Sequence, residues 1–236
     1  MISVPLREIH ELELSSLCNL ACVYCPHPVL QREKGNIGWD TFERAMLHVE
    51  YYVKQKTQGE LSLTGIGEAI LHPRFGEALL RCREVIGWDR LLVMATNGLA
   101  IDDDIIALLA AAKVRVYVSL HRPEVATPAG FRLTAGGVRT LTNHAFVDSS
   151  INWGGQVEWH ASAPVHDCGY LTSAWGSIKQ NGSVDACCVD AHDLHPIGNV
   201  WDEVGSLRTH AIPLCAKCHL LVPKHLQQEE SNVRAA

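Results

Sequence analysis

The sequence predicts an α/β protein: an incomplete (β/α) barrel of about five to six units with a small, cysteine-rich C-terminal appendage. Strand-like and helix-like segments alternate through the first two thirds of the 236 residues, as in parallel βαβ units. These pairs are too few for a closed eight-fold barrel. We therefore place the partial barrel in residues 1–163, the appendage in 164–223 and a polar tail in 224–236.

The first predicted strand covers residues 7–15, where Ile9, Leu12 and Leu14 alternate with polar residues. Helical spacing of apolar residues then predicts a helix over 39–54, capped by Asp40 or Thr41. The same criteria predict strands over 60–64, 91–95 and 114–120 and helices over 74–86 and 102–111.

The periodic spacing of apolar residues is weaker in the rest of the chain. Residues 123–137, rich in Pro, Gly, Ala and Thr, are predicted as a loop, 138–144 as a short helix and 156–160 as a fifth strand. In the appendage, Asn181-Gly182 predicts a hairpin over 177–186. A Gly-Asn loop at 198–199 and a short helix near 201–209 are expected to follow it.

Composition narrows the classes of function. The net charge of -6 disfavours duplex DNA as a partner, although a local basic patch would still permit it. No secretory signal pattern begins the chain, and no run of about 18 apolar residues occurs to span a membrane. We therefore expect a cytoplasmic protein whose nine cysteines serve metal ligation rather than disulfides.

Three cysteines follow the first strand with C-x₃-C-x₂-C spacing: Cys18, Cys22 and Cys25. Three thiolates can hold three irons of a [4Fe–4S] cube and leave the fourth iron open. A structural zinc site is the alternative, but such sites use four ligands, and this spacing with no immediate fourth ligand is unusual for them.

With Tyr24 as the aromatic residue, this motif resembles the C-x₃-C-x-aromatic-C hallmark of the radical S-adenosylmethionine (SAM) superfamily. The resemblance implies a [4Fe–4S] cluster on Cys18, Cys22 and Cys25 whose open iron binds SAM. In that family, reductive cleavage of SAM gives a 5′-deoxyadenosyl radical, which abstracts a hydrogen atom from the substrate.

Turns that follow later predicted strands also resemble motifs of the radical SAM superfamily. The Thr64-Gly-Ile-Gly-Glu68 turn is similar to the family's GGE motif, which contacts the SAM amino group; Gly67 and Glu68 match, whereas Ile66 and Ala69 depart from GGEP. A glycine-containing turn after a strand is common in itself.

Thr96-Asn97-Gly98 resembles the family's TNG motif, and Ser119 and His121 end the fourth strand, where the family places polar groups near SAM or substrate. The alternative for Asn97 is a turn that leads into a helix, and for His121 a surface histidine.

The second cysteine group comprises Cys168, Cys187, Cys215 and Cys218. Its C-x₉₋₁₅-G-x₄-C pattern, with Gly182 as the glycine, and its later C-x₂-C resemble the SPASM and twitch subfamilies. The missing further cysteines indicate the one-cluster twitch type, in which four thiolates would saturate a second [4Fe–4S] cluster. A Cys₄ zinc site remains open as an alternative.

Two cysteines stay outside both groups. Cys188 would point away from Cys187 on a strand, and Cys82 lies in a predicted helix among apolar residues as a core thiol.

The appendage and short barrel look like the aminocyclitol dehydrogenase of butirosin biosynthesis, a twitch enzyme. This implies dehydrogenase-type oxidation of a small polar or nucleotide-type substrate, with flavodoxin or ferredoxin as reductant. His121, His160 and His166 are candidate bases. The alternatives are an isomerase acting on amino-acid-modified thymidine in phage DNA, and a non-catalytic iron–sulfur or zinc module.

Overall fold

The computed structural model describes residues 3–120, 122–143, 156 and 168–218. Its strands are β1 (Val4–Pro5), β2 (Glu8–Leu12), β3 (Glu60–Leu63), β4 (Leu91–Thr96), β5 (Arg115–Ser119), β6 (Arg139–Asn143), β7 (Trp175–Ile178), β8 (Ser183–Asp185), β9 (Pro196–Asn199) and β10 (Arg208–Thr209). Its longer helices are α1 (Trp39–Lys54), α2 (Phe75–Ile86), α3 (Asp103–Ala111) and α4 (Pro123–Ala135). Shorter helical segments lie at His27–Val29, Ala69–Leu71, Gly169–Thr172 and Pro213–Lys217.

Eight strands form one sheet in the order β6-β5-β4-β3-β2-β7-β8-β9. The six strands from β6 to β7 in this order run parallel to one another, whereas β8 is antiparallel to β7 and β9 is antiparallel to β8. A separate two-stranded sheet joins β1 to β10. Five successive parallel strands linked by α1 to α4 confirm the incomplete barrel, and β7 attaches the appendage beside the first barrel strand.

The main core lies between the strands and the helices. Helix α1 buries Phe42, Met46 and Val49 at helical spacing, and the strands contribute Leu61 and Leu63 from the opposite side. The predicted bounds of α1 are confirmed. Its predicted cap is wrong, because Gly38 occupies the N-cap position and makes no side-chain cap hydrogen bond.

The predicted loop over 123–137 is wrong, since α4 occupies most of it. Pro123 stands in the first turn, where its fixed φ suits a helix and its missing N–H costs nothing. Ala126, Ala129 and Leu133 form the buried face. The helix uses small residues because Gly98 lies close to Ala126 and Ala129, and this composition resembles that of a loop.

The predicted helix over 138–144 is also wrong, because residues 139–143 form β6, fully paired with β5. The β-branched Thr140 and Thr142 favour a strand. Thus β6 is the fifth barrel strand. Apart from Gln156, the strand predicted over 156–160 lies outside the described residues, as do the boundary at 163 and the tail from 224.

In the appendage, the hairpin between β7 and β8 is confirmed, with Gly182 in its turn at φ +89°. The predicted loop at 198–199 belongs instead to β9, which pairs with β8. The predicted helix over 201–209 is wrong, because Gly205 at φ +85° belongs to a turn and β10 pairs with the N-terminal β1. None of the helices in the described ranges is long and apolar enough to cross a membrane.

Candidate active site

The inner face of the barrel strands lines a cavity of about 570 Å³, here called the lumen. Side chains alternate across each strand, so one set packs on the helices and the other faces the lumen. The lumen-facing set comprises Glu60 and Ser62 on β3, Thr64 directly after β3, Val93 and Ala95 on β4, and Tyr117 and Ser119 on β5. The result is an open, partly polar interior instead of the packed core of a closed barrel.

The cysteine triplet borders the lumen beyond the carboxyl end of β2. Cys18, Cys22 and Cys25 all line the cavity, and the Cys25 N–H donates to the Cys22 carbonyl at 3.0 Å. Burial raises the pKa of Cys25 to about 11, and burial likewise raises the pKa of Cys18. Positive metal ions would offset this cost by binding the thiolates, so the donor set fits a metal cluster.

Tyr24 also lines the lumen. Burial and the neighbouring Cys22 thiol raise the pKa of its hydroxyl. Within the described part of the chain, no three His, Cys, Asp or Glu side chains converge closely enough to hold one metal ion.

The Gly67-Glu68 turn packs against the loop that carries the triplet. The Glu68 N–H donates to the Leu17 carbonyl at 2.8 Å. The Glu68 carboxylate is 2% exposed and lines the lumen. One of its oxygens accepts from the Asn97 N–H at 2.9 Å, while Oε1 is buried with no hydrogen-bond partner among the described residues. Burial raises the pKa of Glu68 to about 7. This oxygen therefore fits the amino group of a bound SAM molecule.

Replacing Gly67 with alanine is expected to displace this turn, because a Cβ there would overlap the carbonyl oxygens of Ser15 and Leu17. Overlap with backbone is relieved only by moving the chain, so we expect a loss of about 1–3 kcal/mol in unfolding free energy and weaker SAM binding. Urea unfolding and a SAM titration measure both. Gly35→Ala is the control, since a Cβ at Gly35 has nothing within 4 Å; equal effects of the two changes would contradict the prediction.

The Asn97 turn holds the opposite side of the site. Its side-chain amide donates to Asn19 Oδ1 at 2.8 Å, inside the cysteine loop, and its Oδ1 accepts from the Leu99 N–H at 2.9 Å. Gly98 has φ +83°, and its N–H donates to Thr96 Oγ1 at 3.1 Å. Thr96, Asn97 and Ser119 are buried and line the lumen. The turn thus links the ends of successive strands to the triplet loop.

Glu13 is a buried hub that the sequence interpretation treated as a polar strand residue. Arg32 donates to its Oε1 at 2.8 Å, and the Gln180 N–H donates to its Oε2 at 3.2 Å. The Ile66 N–H donates to it at 2.9 Å. Burial alone would raise the pKa of Glu13, but the Arg32 charge and hydrogen bond hold it below its ordinary value. This carboxylate joins the triplet loop, the Glu68 turn and the appendage hairpin.

Arg32→Met is expected to cost about 3–5 kcal/mol of unfolding free energy, because it leaves the Glu13 carboxylate buried without its cation. Denaturant unfolding of the metal-free protein measures this. Arg122→Met is the matched control, since the Arg122–Glu124 pair is exposed and its loss should leave the unfolding midpoint unchanged. Similar midpoints for the two variants would contradict the buried-hub interpretation.

The second cysteine group lies in the appendage around a small apolar cluster. Cys168, Cys187 and Cys218 are buried. Burial raises the pKa of Cys215, and the nearby Cys187 and Cys168 thiols raise it further. Cys188 borders the lumen and also packs against the apolar cluster that contains Cys187 and Cys218; the prediction that it points away from Cys187 is wrong, because β8 ends at Asp185 and the two thiols interact. The structure therefore brings the predicted ligands into one region, and their role in binding a second cluster stays a prediction.

His121, His160 and His166 lie outside the described residues, so their predicted roles as bases stay predictions. The lumen residues Glu11 and Tyr170 were not singled out from the sequence. The sequence could have indicated Glu11 as a site residue. The first strand was expected to be a barrel strand, and because such a strand is buried on both faces, its acidic residues must face the interior.

This chain is similar to several known proteins. Over 110 residues the chain is 33% identical to the tungsten-containing aldehyde ferredoxin oxidoreductase cofactor-modifying protein of Pyrococcus furiosus, a match that spans 46% of this chain and 29% of that protein. The structure of BtrN in complex with AdoMet and 2-DOIA has a TM-score of 0.67 at 21% identity, with 84% of this chain and 80% of BtrN covered.

A second solved structure, Streptococcus suis SuiB bound to precursor peptide SuiA, has a TM-score of 0.63 at 15% identity and covers 94% of this chain and 71% of SuiB. At these identities the likeness establishes the fold alone, a partial barrel with a C-terminal appendage. The Radical SAM superfamily model matches residues 12–129, half of the chain, and covers the triplet and the Glu68 and Asn97 turns. The chain therefore belongs to the radical SAM superfamily.

Proposed function

We propose that this radical SAM enzyme oxidises a small polar substrate, with SAM and a [4Fe–4S] cluster at the triplet and a second cluster at Cys168, Cys187, Cys215 and Cys218. The observation that carries the proposal is that the triplet and the buried Glu68 line the same lumen. A non-catalytic metal module would need no such cavity.

When bound, the clusters and SAM supply an electron, the 5′-deoxyadenosyl radical that takes a hydrogen atom from the substrate, and an acceptor for the electron that remains. The chain's own residues bind and orient. Glu68 would accept a hydrogen bond from the SAM amino group, and Asn97 fixes the Glu68 carboxylate through its N–H. The lumen walls would shield part of the space where a radical would form from bulk water.

The second cysteine group supports oxidation rather than isomerisation, because four cysteine ligands would leave that cluster no open iron for substrate. It would then serve as an electron acceptor. One of its buried thiols, Cys187, is the sequence neighbour of Cys188, which lines the lumen. We further propose flavodoxin or ferredoxin as the source of the electron that cleaves SAM.

Anaerobic reconstitution with iron and sulfide, followed by incubation with SAM and dithionite, tests the proposal. We expect about eight irons per chain, two cubes' worth, and formation of 5′-deoxyadenosine. Cys187→Ala should retain SAM cleavage and about four irons. Iron-loaded protein that does not cleave SAM would overturn the enzyme assignment, and four irons with tightly bound zinc would overturn the auxiliary-cluster role.

A further inference from the structure

The lumen carries negative charge beyond what SAM requires. Besides Glu68, the carboxylates of Glu11 and Glu60 line it, and no Lys or Arg belongs to its lining among the described residues. The sequence between Arg139 and Lys179 contains no Lys or Arg either. Such an interior repels phosphate and attracts cations.

Glu11 is the buried member of this set. It is 7% exposed, and the register of β2 places it beside Ser62 of β3 and Ser177 of β7. Hydroxyl groups surround its carboxylate: Tyr170 donates to Oε2 at 2.8 Å, Thr64 donates to Oε1 at 3.2 Å, and Ser177 lies 3.4 Å from Oε2. These contacts hold the carboxylate in a fixed orientation.

No cation pairs directly with Glu11 within 4 Å in the described part of the chain, although the next carboxylate along the chain has one. Glu13, two residues further, is paired with Arg32 at 2.8 Å. The buried Lys179 ammonium lies 3.5 Å from Asp185 and 3.4 Å from Ser177 Oγ; its charge acts on Glu11, but it makes no direct ion pair with that carboxylate. A buried carboxylate without a cation is unfavourable, so the charge on Glu11 is available to a ligand.

The wall beside Glu11 suits a ligand cation in other ways. The aromatic rings of Tyr170 and Tyr117 line the lumen, and aromatic rings attract cations. His10 stacks on Trp175 with ring centroids 3.9 Å apart, and its Nε2 lies 3.8 Å from Glu60. This side of the lumen therefore offers carboxylates and hydroxyls to a ligand with an amine and several hydroxyl groups.

We propose that the part of the lumen wall formed by Glu11, Thr64 and Tyr170 is the substrate subsite for a protonated amine. The substrate is then a small amine-bearing polar molecule and not a phosphate-bearing nucleotide. The inference rests on the proposed function only in assigning Glu68 to SAM. Glu11 contacts the ammonium group, and Thr64 and Tyr170 keep the carboxylate turned toward it.

Binding measurements on the reconstituted, unreduced protein with saturating SAM test this subsite, since no turnover occurs under these conditions. The probes are matched in shape: cyclohexylammonium against cyclohexanol, and glucosamine against glucose and glucose 6-phosphate, all at pH 7. We expect each amine to bind about 10-fold to 100-fold more tightly than its neutral partner, and glucose 6-phosphate to bind more weakly than glucose.

Glu11→Gln should lower the affinity of the amines to that of the neutral partners and leave the affinity for SAM unchanged. Glu84→Gln, which alters an exposed carboxylate on α2, is the control and should change nothing. The inference is overturned if the neutral or phosphorylated probes bind as tightly as the amines, or if no amine binds at tens of millimolar. Because these binding measurements involve no SAM cleavage, they can be interpreted even if the proposed oxidation is not found.

Discussion

Cys18→Ala is expected to abolish formation of 5′-deoxyadenosine from SAM. Loss of one thiolate removes one of the three protein ligands of the first cluster, and three is the number that leaves a single iron open for SAM. The variant should also lose about four of the eight expected irons and keep those of the second group. Chromatography of the reaction mixture and iron analysis measure both effects.

Cys82→Ala is the matched control for this substitution. Cys82 is fully buried in α2, and its thiol lies 3.9 Å from the sulfur of Met46. It borders neither the lumen nor the second cysteine group. We expect unchanged iron content and SAM cleavage, with only a small loss of stability from the missing sulfur atom. SAM cleavage at the wild-type rate by Cys18→Ala would contradict the assignment of the triplet.

Glu68→Gln is expected to weaken SAM binding by about 10-fold to 100-fold, because a charged hydrogen-bond acceptor becomes neutral. Since burial raises the pKa of Glu68 to about 7, the wild-type protein should bind SAM more weakly as the pH falls below 7 and the carboxylate takes up a proton. The variant should lose this pH dependence. Equilibrium titration with SAM between pH 5.5 and 8 measures both effects.

The same substitution should stabilise the SAM-free protein. A carboxyl whose pKa is raised on folding contributes stability that is present below the unfolded pKa, 4.5, and lost as the pH rises through about 7. Glutamine has no charge to bury, so at pH 8 the unfolding free energy should rise by about 3 kcal/mol, with little difference at pH 4.5. Thermal unfolding at the two pH values measures this, and the exposed Glu77→Gln is the control. A variant less stable than wild type at pH 8 would contradict it.

The errors of sequence interpretation have a common origin. Helix α4 was predicted as a loop because its buried face consists of small residues, and those residues are small because Gly98 lies against them. Strand β6 was predicted as a helix because residues 139–143 are too few to show a period; pairing with β5 fixes their conformation. In both cases a tertiary contact outweighs a weak local preference.

The sequence by itself determined the local features: the cysteine spacing, the strand and helix alternation of the first 120 residues, and the hairpin at Gly182, whose positive φ a glycine adopts without strain. Only the tertiary structure decided which groups surround the carboxylates of Glu11 and Glu13. The two have the same chemistry and lie two residues apart, Glu11 within β2 and Glu13 directly after it, yet Glu13 meets Arg32, while Glu11 meets hydroxyls and the open lumen. The hydroxyl groups reach Glu11 because β2 lies between β3 and β7, and β7 is more than 160 residues away along the chain, beyond the reach of any local pattern.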